Sequence, residues 1–154
     1  MREAIFANDV VAVQELLVLA DINKTIDGNG TPLMYAAANG RIDLVVYLLT
    51  IDGVDVNIQH AGHTAFILAV MGGHIDVIEK LLEVEDIDIN IKGLDEIRGH
   101  TALTIACGFG HVSVVAKLLE VGSIDVNIKH EKPLEQTALM IAAENGYIGI
   151  VDEL

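Results

Sequence analysis

Tryptophan is absent from this chain, and aromatic residues of all kinds make up only 4% of it. Large rings hold packed elements apart, so a core of Ala, Val, Ile and Leu suits close helix-on-helix contact. Cysteine is nearly absent too. The single Cys107 excludes an internal disulfide and fits a reducing compartment. Basic residues are scarce, with 9 Lys and Arg against 23 Asp and Glu and a formal net charge of -14. That balance works against nucleic-acid binding, whose affinity comes from cations displacing counterions. It favours solubility and a protein partner with a basic or mixed-charge surface. No apolar run approaches the roughly 20 residues that span a bilayer. Acids and Asn interrupt Met1–Asp9 before the core of a signal peptide develops. A soluble, intracellular, cytoplasmic chain with no membrane partner is expected. With 154 residues, 52% of them hydrophobic, it is long and apolar enough to bury a core rather than remain disordered.

What the chain has instead is repetition. Thr31, Thr64, Thr101 and Thr137 recur at spacings of 33, 37 and 36, and Gly40, Gly73, Gly110 and Gly146 keep the same three intervals. The pairs Leu48-Leu49, Leu81-Leu82 and Leu118-Leu119 follow the first two intervals, as do Asn57, Asn90 and Asn127. Four landmarks held in step through two insertions define a repeat array.

Each unit reads alike. A turn such as Gly62-His63-Thr64 or Gly99-His100-Thr101 opens a short helix with Thr as its N-cap, and Pro32 suits the first helical position. Small residues occupy the middle of that helix: Ala36-Ala37, Ala69-Val70, Ala106-Cys107 and Ala142-Ala143. The repeated Gly ends it with positive φ. A second helix follows, with apolar residues at helical spacing (Ile42, Val45, Leu48; Ile75, Ile78, Leu81; Val112, Val115, Leu118). Asp55-Val56-Asn57, Asp88-Ile89-Asn90 and Asp125-Val126-Asn127 then mark turns in which Asp and Asn bond their own backbone.

These units resemble the ankyrin repeat, whose Thr-Pro-Leu-His-x-Ala signature stands here as Thr31-Pro32-Leu33-Met34-Tyr35-Ala36 and more loosely at Thr64, Thr101 and Thr137. The resemblance implies an all-α repeat solenoid, a stack of helix-turn-helix units joined by extended finger loops. It covers residues 1–154 as a single domain with a partial unit at 1–26, whose helix pair is placed near residues 4–18. Units at 27–58, 59–91 and 92–128 follow, with a second partial unit at 129–154. There are departures. Met34, Ile67, Thr104 and Met140 replace the usual His, so its hydrogen bond to Thr is expected to be missing. Asn29 and Glu135 replace the turn Gly; Asn tolerates positive φ, Glu poorly.

The resemblance also implies partner binding by fingers and inner helices, without catalysis or cofactor. Family contact positions map onto His60, His63, Arg98, His100 and Gln136 in the fingers, and onto Asn39, Met71, Phe109, Glu144 and Asn145 at the ends of the first helices. Phe109 and Met71 are the apolar anchors among them; for Met71 the competing reading is packing against the next unit.

Sharper chemistry finds little support. His60 and His63 are spaced three apart, but no Cys cluster or Glu-bearing zinc motif joins them. His74 and His111 follow a helix-ending Gly and suit turn hydrogen bonding. Cys107 lies at a small-residue position of an inner helix, where a buried thiol is inert. Val151-Asp152-Glu153-Leu154 lacks the first residue of a retention signal and reads as helix. The acidic run Glu83–Asp88 reads as a solvated turn. The last unit carries Ile141, Ile148, Ile150 and Val151 and stops within its second helix, so an apolar edge is expected there. That edge fits self-association, or a piece of a longer solenoid or the regulatory arm of a larger protein. The leading expectation is a scaffold, adaptor or inhibitor that occupies a partner's surface.

Overall fold

A computed structural model describes residues 1–18, 20–93, 99–129 and 135–154. Among them are ten α-helices: α1 (Arg2–Phe6), α2 (Val10–Leu17), α3 (Pro32–Ala38), α4 (Ile42–Leu49), α5 (Ala65–Gly72), α6 (Ile75–Leu82), α7 (Ala102–Phe109), α8 (Val112–Leu119), α9 (Ala138–Glu144) and α10 (Ile148–Val151). The leading pair thus begins at Arg2, earlier than the spacing suggested. The only extended pairing among the described residues is a bridge between His60 and His63.

Thr starts four of the first-position helices. The side chains of Thr31, Thr64, Thr101 and Thr137 accept from the backbone N–H three residues on, at 3.3, 3.1, 3.4 and 3.5 Å. Each such bond satisfies one orphan donor of the helix and contributes about 1 kcal/mol. The missing His does not leave every cap half made. The Thr101 N–H donates to Thr104 Oγ1 at 2.8 Å, and the Thr31 N–H reaches Met34 Sδ at 3.4 Å. Two units therefore restore a reciprocal cap with Thr and Met. Asp9 caps α2 in the same way, accepting from the Ala12 N–H at 3.0 Å.

The turn residues behave as their chemistry demands, with one correction. Glu135 does take positive φ, at 45°, but Asn29 does not. In that finger Asp27 and Gly28 carry it, at 53° and 72°, and the Ile26 N–H closes the loop on the Gly30 carbonyl at 2.7 Å. Asp-Gly is a pair well suited to two consecutive positive φ values, so the turn centres there and Asn29 closes it, its N–H donating to the Ile26 carbonyl at 3.1 Å.

The second correction concerns the Asp-x-Asn turns. Asp does bond its own backbone: Asp55, Asp88 and Asp125 accept from the N–H of Asn57, Asn90 and Asn127 at 2.9 Å each. Asn instead reaches into the following repeat. Asn90 Nδ2 donates to the Ser123 carbonyl at 2.7 Å while its Oδ1 accepts from the Asp125 N–H at 2.9 Å. Asn23 makes the same pair of bonds to Gly53 and Asp55, at 2.7 and 2.9 Å. Asp21-Ile22-Asn23 is thus an earlier member of the series.

The chain forms two compact units, Met1–Ile87 and Asp88–Leu154. In the first, α1, α3 and α5 pack in one row and α2, α4 and α6 in another. In the second, α7 packs on α9 and α8 on α10. Ala36, Ala69, Ala106 and Ala142, one per repeat, are wholly buried. Without side-chain bulk, helices approach closely and bury Leu44, Val45, Leu48, Val77, Ile78 and Leu81 in the first unit and Val114, Val115 and Leu118 in the second.

Candidate functional site

The finger after α4 is the best-defined one. His60 and His63 exchange both backbone hydrogen bonds, at 2.9 and 3.0 Å, around a two-residue turn. Ala61 and Gly62 sit there at φ 48° and 76°. His63 Nδ1 lies 2.6 Å from the Ala61 carbonyl. Because a carbonyl only accepts, that nitrogen carries the proton and the ring is tied to its own turn. Both imidazoles are half-buried. Ala61 holds a left-handed conformation that costs an L-residue about 1–2 kcal/mol. Ala61→Gly is therefore expected to raise the unfolding free energy by about 0.5–1 kcal/mol, after the extra flexibility of the unfolded chain is counted. Denaturant melts showing no gain, or a loss, would contradict the strain at this turn.

Of the remaining sequence candidates in the first unit, Met71 is half-buried. Asn39 is used at home, where its Nδ2 donates to the Tyr35 carbonyl at 2.8 Å and closes the end of α3. In the second unit, His100 is half-buried with Nδ1 3.2 Å from Thr104 Oγ1, itself a donor to the Thr101 carbonyl at 2.9 Å. His100 thus reaches the start of α7 through a hydroxyl. Asn145 repeats the role of Asn39, donating to the Ile141 carbonyl at 2.9 Å. Gln136 Nε2 donates to the Glu144 carboxylate, joining a finger residue to the end of α9. Arg98 lies outside the described residues.

Phe109 stands apart from these. It ends α7 with 57% of its surface exposed, and its ring stacks on His111 at a centroid distance of 5.8 Å and an interplanar angle of 10°. Stacking on one face leaves the other as an apolar plate that is held in place.

Sequence reasoning passed over a second aromatic group. Phe6 on α1 meets Tyr35 on α3 edge to face at 6.4 Å, and the Arg2 guanidinium lies 5.2 Å from the centre of the Tyr35 ring. Met1, Arg2, Glu3, Phe6 and Asp27 line an adjoining cavity of about 430 Å³. The signal was there, since Arg2 and Phe6 are four residues apart and share a helix face. The contact with Tyr35 is tertiary and has no local trace.

Cys107 is wholly buried, and burial pushes its thiol from 9.0 up to about 12. The contribution of the protonated thiol to stability is complete below about pH 9, where both states keep the proton. It is lost as the pH rises toward about 12, because the unfolded chain ionises first. Native protein is expected to react with a thiol reagent only as fast as it unfolds; rapid labelling without denaturant would contradict that burial. Among the described residues there is no group of three or more His, Cys, Asp or Glu that could hold a metal ion, and no helix long and apolar enough to cross a membrane.

Comparison with known proteins agrees with this geometry. The profile of the family described as ankyrin repeats (3 copies) matches residues 1–93 and again residues 91–154. The chain therefore belongs to the ankyrin repeat family, an all-helical repeat class whose members are generally protein–protein interaction modules. A search of curated proteins finds no match to it.

Proposed function

We propose that this chain is a non-catalytic, cytoplasmic scaffold, adaptor or inhibitor that binds a protein partner on the face of its first helices and the adjoining fingers. One observation carries the reading. Of only three Phe residues, Phe6 and Phe109 stand exposed on first-position helices, each held by a neighbouring ring. A chain that leaves two of its three Phe residues outside its core has anchors of the kind that dominate binding energy. Rigid presentation lowers the ordering cost of association. The further contact positions of that reading are His60, His63 and Met71 in the first unit and His100, Gln136, Glu144 and Asn145 in the second, with Arg98 outside the described residues. The charge of -14, with Glu3 and Asp27 beside Phe6, favours a partner with a basic or mixed-charge surface.

The test uses a partner isolated by affinity capture and verified with purified components. Phe109→Ala and Phe6→Ala are each expected to weaken binding on the order of tenfold or more. Added salt is expected to slow association with a basic partner. Unchanged affinity in both variants would remove the aromatic anchors from the account.

A further inference from the structure

Gly follows Asn three times in this chain, at Asn29-Gly30, Asn39-Gly40 and Asn145-Gly146. In such a pair the backbone nitrogen of Gly is an internal nucleophile, one ring closure away from the Asn amide carbon and with no Cβ to crowd its approach. After Asn57, Asn90 and Asn127 the next residue is a β-branched Ile, which does crowd it. Sequence alone ranks the three Asn-Gly pairs together. The structure separates them.

Asn39 and Asn145 are the C-caps of α3 and α9, with ψ of 9° and -5°. At ψ near zero the following nitrogen lies beside the residue's own nitrogen and away from its Cβ, so the ring cannot close until the cap opens. Both pairs are also tied down. Nδ2 of Asn39 donates to the Tyr35 carbonyl at 2.8 Å and that of Asn145 to the Ile141 carbonyl at 2.9 Å. The Gly40 and Gly146 N–H groups donate to the Ala37 and Ala143 carbonyls at 3.2 and 3.1 Å.

Asn29 is placed differently. It stands just past the Asp27-Gly28 turn and is exposed, and its side-chain bond, Nδ2 to the Asp27 carbonyl at 3.0 Å, lies open to solvent. The peptide group joining it to Gly30 makes no hydrogen bond among the described residues, through either its N–H or its carbonyl. No acceptor therefore holds the attacking nitrogen, and no bond opposes rotation of that plane. Gly30 is buried beside Met34 and Tyr35, but the amide that leaves and the water that enters act at the exposed Asn29 side chain.

We propose that Asn29 is a site of spontaneous deamidation, which converts the finger before α3 to a more acidic form. The Gly30 nitrogen gives its proton to hydroxide and attacks Asn29 Cγ. The N–Cγ bond forms, the Cγ–Nδ2 bond breaks, and Nδ2 leaves as ammonia after taking a proton from water. Water then adds to one of the two carbonyls of the cyclic imide. Opening on one side gives aspartate in a normal main chain; opening on the other gives isoaspartate, whose main chain is one methylene longer. The balance is one water consumed and one ammonia released, with no oxidant or cofactor. The product places a carboxylate two residues from Asp27 and loses the Nδ2 donor to its carbonyl. The isoaspartyl form also disturbs the loop closure, in which Ile26 N–H meets the Gly30 carbonyl at 2.7 Å and the Ile26 carbonyl meets Asn29 N–H at 3.1 Å. The inference rests on the chemistry of the finger and not on any partner.

The test incubates the intact protein at mildly alkaline pH, beside a sample unfolded in denaturant, and follows the mass of each Asn-Gly peptide after digestion. In the unfolded chain the three pairs are expected to react at comparable rates. In the native protein Asn29 is expected to react on the order of tenfold or more faster than Asn39 and Asn145, which must first open a helix end. Its rate should rise with pH, because the attacking nitrogen must lose its proton. Asn29→Gln requires a larger ring and should remove the early acidic species seen on ion exchange, with circular dichroism showing the variant folded. Equal native rates at the three pairs overturn the proposal. So does an Asn29 that reacts only when the chain is unfolded, or an early acidic species that persists in Asn29→Gln.

Discussion

Replacing Phe66 with Ala is expected to lower the unfolding free energy by about 3–5 kcal/mol, a large part of the roughly 5–15 kcal/mol that holds a domain folded. Phe66 is 1% exposed and heads the largest side chains that the protein buries completely. It sits in the first turn of α5, a helix apolar around its circumference that packs on both α3 and α6. Its removal loses the transfer free energy of the ring and leaves a cavity. The packed helices α3 and α6 can collapse into that cavity only in part. In a stack, stability is a sum of local and nearest-neighbour contributions. Hydrogen exchange should therefore show the amides of α5, α3 and α6 losing protection first and α10 last. Uniform loss across all ten helices would mean that the chain melts as one cooperative block.

Gly40→Ala is the second large effect, about 2–3 kcal/mol from two sources that can be separated. Gly40 has φ +62°, a conformation that costs an L-residue about 1–2 kcal/mol. A Cβ there would also stand 2.7 Å from His74 Nδ1 and 2.9 Å from Cε1, well inside contact distance. The ring has reason to stay, because His74 Nε2 is 3.2 Å from the Ala38 carbonyl near the end of α3. Displacing it leaves that acceptor to water. His74→Ala alone should cost about 1 kcal/mol, and the double variant less than the sum, since the added methyl no longer strikes a ring. Strict additivity in that cycle would show that φ alone requires glycine. Tyr147 bears the same relation to Gly110 in the second unit, where an added Cβ would stand 2.8 Å from Cζ.

The repeat register was legible because it rests on local chemistry. Thr caps its own helix three residues on, Asp bonds its own turn two residues on, and Gly73 and Gly110 end their helices at φ 67° and 73°. Each of these contacts lies within a few residues of its source, so spacing alone reveals it. The shifted turn at Asp27-Gly28 was missed because register pointed to Asn29 while the Asp-Gly turn pair stood two residues earlier. Of the candidate contact residues, Phe109 proves exposed, whereas Asn39, Asn145 and Gln136 turn out to bond neighbouring backbone or side chains. Sequence position places a residue on a helix end; it does not say whether its polar atoms are already in use.

By itself, then, the sequence determined the family, the number and order of helices, the caps, and the small residues that let helices approach. All of these follow from propensities and periodicities that act over a few residues. Tertiary structure alone decided that Asn23 and Asn90 clamp the following repeat, that His74 and Tyr147 lie over glycines one repeat earlier, and that Arg2, Phe6 and Tyr35 gather into one surface. It also decided that Leu139 and Met140 are exposed where the same register positions on α3 and α7 are buried. Those contacts join residues about 30 or more apart, and their energy depends on what the neighbouring repeat places opposite, which no local pattern encodes.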